Sequence, residues 1–160
     1  MTATINPINQ LYAHLSEEAR QELASHEKRL RVSGGTSLVR YGIPSDHLVI
    51  LNSGSAEIYV PTGGKALSLG IAEPGRVLGL QSVLSGEAPP TSAICRERCD
   101  VTLIPKDAFL GVLRKHPQTY FSVARILSSE LSTADHAIRT HRRSSKVKAR
   151  VEPRKALQVV

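Results

Sequence analysis

The chain has 160 residues, with 21 Lys+Arg against 14 Asp+Glu and a formal net charge of +7. Residues 1–138 hold 13 basic and 13 acidic side chains, while residues 139–160 hold eight basic side chains and one acid, Glu152, so the whole excess sits in the last 22 residues. A body without net charge excludes a domain whose own face coats nucleic acid, because such a domain spreads cations over its surface.

The length fits one domain with room for a core. With aromatic residues at 4%, that core has to be aliphatic. No apolar run approaches the roughly 18 residues of a membrane span. The N-terminus lacks the charged and apolar regions of a secretory signal. Two cysteines make no disulfide scaffold, so a cytoplasmic protein is the expectation.

Residues 7–30 read as helix. Pro7 suits a first helical position, Leu11 and Leu15 are four apart, and Ser16 followed by Glu17 and Glu18 reads as a second N-cap. Ala19, Leu23, His26 and Leu30 continue one face, and Gly34-Gly35 ends it.

From 36 to 104 the period becomes two. Strands are expected at 37–41, 47–52, 56–60, 65–72, 92–96 and 100–104, with turns at Asn52-Ser53-Gly54, Pro61-Thr62-Gly63-Gly64 and Pro74-Gly75. The run His47-Leu-Val-Ile-Leu-Asn52 is too apolar to face water on either side. Short strands with closely spaced turns predict a mainly β fold, a sandwich or barrel, and not βαβ units.

Helix returns at 106–115, with Phe109, Val112 and Leu113 on one face. His116-Pro117 breaks it, and a longer helix is expected over 117–141. Along it Tyr120, Ala124, Leu127, Leu131, Ala134 and Ile138 are spaced 4, 3, 4, 3, 4, the a/d seam of a coiled coil, which predicts a parallel homodimer helix. Phe121, Val123 and Ile126 lie outside the seam and are expected to pack on the barrel. After Arg139 the apolar period ends, so 142–160 reads as an unfolded basic tail following a domain of 1–141.

Catalytic constellations are missing from the sequence. There is no Gly-x-Ser-x-Gly, and Asp46 and His47 are strand neighbours pointing to opposite faces. The six histidines lie on different elements, and Cys95 and Cys99 flank a turn with no second pair, so no metal site and no enzyme are expected. The segment Gly75-Arg76-Val77-Leu78-Gly79-Leu80, running on to Pro89-Pro90-Thr91-Ser92, is a glycine-punctuated turn entering a short helix. Such a turn offers backbone N–H groups to an anion.

In order along the chain, the helical lead, Tyr41-Gly42, the segment from His47 through Gly54 to Tyr59, Pro74-Gly75-x-x-x-Gly79-Leu80, Cys99 through Pro105, Phe109 and the long helix resemble the cyclic nucleotide-binding domain of CRP/FNR-type regulators. The resemblance covers residues 8–141. It implies a double-stranded β-helix, or jelly roll, with N-terminal helices and a C-terminal dimerisation helix. It also implies a regulatory sensor with a cyclic nucleotide ligand (cAMP or cGMP) held between the cassette at 75–92, the inner strand face and the long helix.

The family's cassette has an acid after its first glycine, and Arg76 stands there; its phosphate-clamping arginine aligns with Pro89. The resemblance places Ala134 and Asp135 where the family's hydroxyls meet the base. These regulators carry a helix-turn-helix domain after the long helix, whereas this chain ends within 20 residues, so an effector domain alone is expected. The other readings are a ligand-free β-roll scaffold acting through dimerisation or partner contacts, and a basic tail that meets nucleic-acid phosphates nonspecifically.

Overall fold

A computed structural model describes residues 9–151. A short 3-10 turn at Tyr12–His14 leads into α1 (Glu17–Ala24), whose N-cap Ser16 accepts a hydrogen bond from the Ala19 N–H through Oγ. Eight strands follow: β1 (Lys28–Val32), β2 (Ser37–Val39), β3 (His47–Ser53), β4 (Ala56–Thr62), β5 (Lys65–Ala72), β6 (Val77–Leu78), β7 (Ser92–Cys95) and β8 (Cys99–Pro105). Helix α2 (Leu80–Ser85) interrupts them, and α3 (Lys106–Lys115) and α4 (Thr119–Val151) complete the chain.

The strands form two four-stranded sheets, ordered β1-β8-β3-β6 and β2-β7-β4-β5, with every pairing antiparallel. This is the expected mainly β roll flanked by helices. Strand β3 shows how the core divides. Leu48 and Ile50 join a cluster with Leu23, Phe109, Val123 and Ile126 under the helices, while Val49 and Leu51 join Ile58, Ala93 and Val101 between the sheets. A strand covered on both faces must be apolar on both, which is why its sequence does not alternate.

The turn after β3 depends on one glycine. Gly54 has φ 82°, and a Cβ there would stand 2.6 Å from the Arg98 carbonyl oxygen and 2.7 Å from Cys99 Sγ. No side chain fits between β3 and the β7–β8 turn at that point.

Three expectations are corrected. Residues 28–32 are not helix but the edge strand β1, paired residue for residue with β8 from Lys28↔Leu103 to Val32↔Cys99. The free edge of β8 and the cross-strand bond from Arg31 Nε to Asp100 Oδ1, 2.8 Å, outweigh the helical spacing of His26 and Leu30. Phe121 does not pack on the barrel but is 71% exposed, whereas Val123 and Ile126 are buried there as expected. The long helix starts at Thr119 and passes 141 without a break, so 142–151 is helical rather than unfolded. Those residues hold neither Gly nor Pro, and Lys, Arg and Ala favour helix without an apolar stripe. Residues 152–160 lie outside the described residues, as do the side chains of Ala134 and Ile138.

Candidate functional site

The cassette is tied to β3 by its backbone. The Gly75 N–H donates to the Leu51 carbonyl at 2.7 Å, and the Leu51 N–H donates to the Arg76 carbonyl at 3.0 Å. Val77 and Leu78 then pair with Ile50 and Val49. Gly79, at φ 81°, turns the chain into α2 in a left-handed conformation that suits glycine.

Beyond α2 the loop is closed by one buried hydroxyl. Ser82 Oγ accepts the Ser45 N–H at 2.9 Å and donates to the Glu87 carbonyl at 2.6 Å. Further along, the Pro89 carbonyl accepts the Gly42 N–H, and Ser92 Oγ accepts the Tyr41 N–H at 2.9 Å.

These ties hold open a cavity of about 570 Å³. All four strands of the second sheet contribute to its floor, through Val39, Ile58, Leu69, Gly70, Ile71 and Ala93. Leu69 reaches it through a bulge. Ile58 pairs with Gly70 and Tyr59 with Ser68, which leaves Leu69 as the extra residue. The cassette supplies Arg76, Leu78, Gly79, Leu80, Gln81 and Ser82 on one side and Pro89, Pro90 and Thr91 on another. Helix α4 closes the remaining side with Leu127, Glu130 and Leu131.

Among the residues expected at a ligand site, Arg76, Leu78, Gly79, Leu80, Pro89, Pro90 and Thr91 line the cavity. Gly75, Val77 and Ser92 do not: Gly75 serves the β3 tie, Val77 is fully buried in the helix-side core, and Ser92 anchors Tyr41. The seam residues Leu127 and Leu131 also line the cavity, while Tyr120 and Ala124 face outward on α4. Pro89 and Pro90 offer no side-chain donor to a ligand, so the cavity's cation comes from the opposite side, at Arg76.

Glu130 went unnoticed in the sequence. Two signals pointed to it: it is the only acid within 119–134, and it stands three residues after Leu127 on the same helical face. Its Oε1 lies 4.0 Å from Arg76 Nη2, and the two side chains are 27% and 26% exposed. Burial pushes the Glu130 carboxyl above the ordinary carboxylate range, and the Arg76 charge opposes that shift. The Arg76 Nε is buried without a hydrogen-bond partner. Arg76 and Glu130 are the two charged groups among the described residues lining the cavity, and the rest of the lining is mostly apolar.

Among the described residues, no helix is long and apolar enough to cross a membrane. Residues 29–116, more than half of the chain, match the family model of the cyclic nucleotide-binding domain. Comparison with curated proteins by sequence found no match.

Solved structures do share the fold. The catabolite activator protein of Thermus thermophilus superposes with a TM-score of 0.70 at 22% identity, over 82% of this chain and 62% of that one. The sensor domain of the transcriptional regulator DNR from Pseudomonas aeruginosa gives 0.64 at 18%, over 77% and 88%. The regulatory subunit of a cAMP-independent protein kinase A from Trypanosoma brucei gives 0.67 at 15%, over 81% and 46%. The chain thus spans less than two thirds of the Thermus protein it matches.

Proposed function

The chain belongs to the cyclic nucleotide-binding domain family, and on that premise we propose that it is a non-enzymatic sensor module working as a homodimer in signalling or transcription regulation. It takes a small ligand, with cAMP or cGMP as the first candidate, and reports occupancy through α4. The observation that carries this reading is the cavity of about 570 Å³ walled jointly by the cassette and α4. A ligand filling it touches Leu127 and Leu131, which also belong to the seam, so occupancy and dimer geometry share residues.

Calorimetry against cyclic mono- and dinucleotides tests the reading. Saturable heat with any of them supports a nucleotide sensor. No heat at high micromolar concentration removes the nucleotide. Pro89, aligned with the family's arginine and followed by Pro90, favours a second reading, a ligand-free scaffold that acts by dimerisation. The basic segment 142–160 is proposed as a nonspecific nucleic-acid contact of the effector unit 1–141, since Arg142 and Arg143 are exposed on α4. Duplex binding by a 1–138 truncation should lose most of its dependence on salt.

A further inference from the structure

The arrangement at the cavity's polar end bears on which ligands enter. Arg76 is a guanidinium with five donors, yet its Nε is buried without a partner and its Nη2 reaches only a carboxylate oxygen 4.0 Å away. That distance exceeds a hydrogen bond, so the pair is electrostatic and loose. A buried donor left unmade is unfavourable, and an oxyanion whose two terminal oxygens match the guanidinium fork would satisfy it.

Charge limits the ligand further. A molecule with several negative charges would meet one cation and, beside it, the Glu130 carboxylate. A single charge is matched by Arg76 alone. The remaining lining, from Ile58 to Leu131, asks for an apolar or aromatic body.

We infer that Arg76 is the anchor for a singly charged oxyanion carried on an apolar body, and that Glu130 holds its place in the empty pocket until the anion displaces it and frees α4 from the cassette. This rests on the sensor reading above and assigns that site its charge selectivity and its release step. Two chemistries supply such a headgroup, a carboxylate and a cyclic phosphodiester.

The test uses the full chain with octanoate, 1-octanol and cAMP as probes, so that charge is separated from body and carboxylate from phosphodiester. Binding is read by calorimetry and by amide exchange along α4. At least one anion should bind. Arg76→Gln should weaken it tenfold or more, Arg76→Lys by an intermediate factor, and Glu130→Gln should tighten it several-fold. 1-Octanol should respond to none of these changes. Bound anion should raise exchange over 124–131 in the unsubstituted chain.

Melting curves establish that each variant is folded, and Glu130→Gln carries the test if Arg76→Gln is not. Binding of 1-octanol as tight as octanoate, or anion binding indifferent to these substitutions, overturns the inference and leaves the sensor reading standing. Anion binding that leaves α4 exchange unchanged overturns the release step. If none of the three probes binds, the inference falls, and the sensor reading is decided separately by the panel of cyclic mono- and dinucleotides.

Discussion

Glu22 on α1 and Lys115 at the end of α3 are joined across 93 residues of sequence by a bond of 2.7 Å from Lys115 Nζ to Glu22 Oε1. His116 Nε2 lies 3.3 Å from the other carboxylate oxygen. The helical lead and the helix before α4 are thus clasped at one acid. The bond from Lys115 holds the Glu22 carboxyl below the usual carboxylate range. A carboxyl lowered in the folded state stabilises fully above its unfolded value, about pH 4.3, and the contribution is lost as pH falls through the folded value. Glu22→Gln should therefore lower the melting temperature at neutral pH and leave it unchanged in strong acid. Melting curves from neutral pH down through the carboxylate range check this, and a constant difference across the series would refute it.

Gly54 is held by sterics from two sides. Gly54→Ala places a Cβ 2.6 Å from the Arg98 carbonyl and at φ 82°, so the expected loss is at least about 2 kcal/mol. Gly63→Ala is the control, since φ there is 52° and nothing lies within 4 Å of the added Cβ. It should cost about 1 kcal/mol, for the left-handed conformation alone. Urea unfolding midpoints at unchanged slope measure both. Equal losses would mean that the close approach carries no weight.

The contrast between these glycines bears on what the sequence could convey. Strand β5 and helix α3 have the bounds that their patterns predict, because each buries one face and its periodicity records that face. Edge strand β1 has no such record: four of its five residues are exposed, and its identity comes from main-chain bonds to β8, 67 or more residues away along the chain. The same holds within the site. Arg76 and the prolines were conspicuous as departures from a family pattern. Glu130 matters only because the roll brings α4 over the cassette, a long-range fact that local spacing suggests and does not specify. The helix beyond 141 rests on the propensity of its Lys, Arg and Ala residues, and their sequence carries no apolar period that spacing could reveal.

Ser82 has two jobs that alanine cannot do. It is buried, and its hydroxyl serves the Ser45 N–H and the Glu87 carbonyl at once. Ser82→Ala leaves both groups unpaired, at an expected cost of about 1–3 kcal/mol. The loop from 86 to 91, which carries the pocket's Pro89, Pro90 and Thr91, should loosen with it. Amide exchange at Ser45 should accelerate well before global unfolding, and an amide as protected as in the unsubstituted chain would show that the hydroxyl does not hold the loop.

Ala124 allows the proposed dimer to be tested apart from the pocket. It is a seam position, it is exposed, and it does not line the cavity, unlike Leu127 and Leu131. Tyr120, 51% exposed, and Leu131, 73% exposed, flank it along the same stripe, so α4 offers an apolar ridge that a second copy of the helix would cover. Ala124→Glu in such a dimer sets two carboxylates against each other in one layer. In the isolated chain the same change is a surface substitution worth no more than about 0.5 kcal/mol. Sedimentation equilibrium should find a dimer for the natural sequence and a monomer for Ala124→Glu, with the melting temperature at low protein concentration nearly the same. Ligand affinity per chain should survive, because the pocket wall is untouched. A variant that stays dimeric would move the interface off this seam, and one that unfolds would place Ala124 in the core of the chain itself.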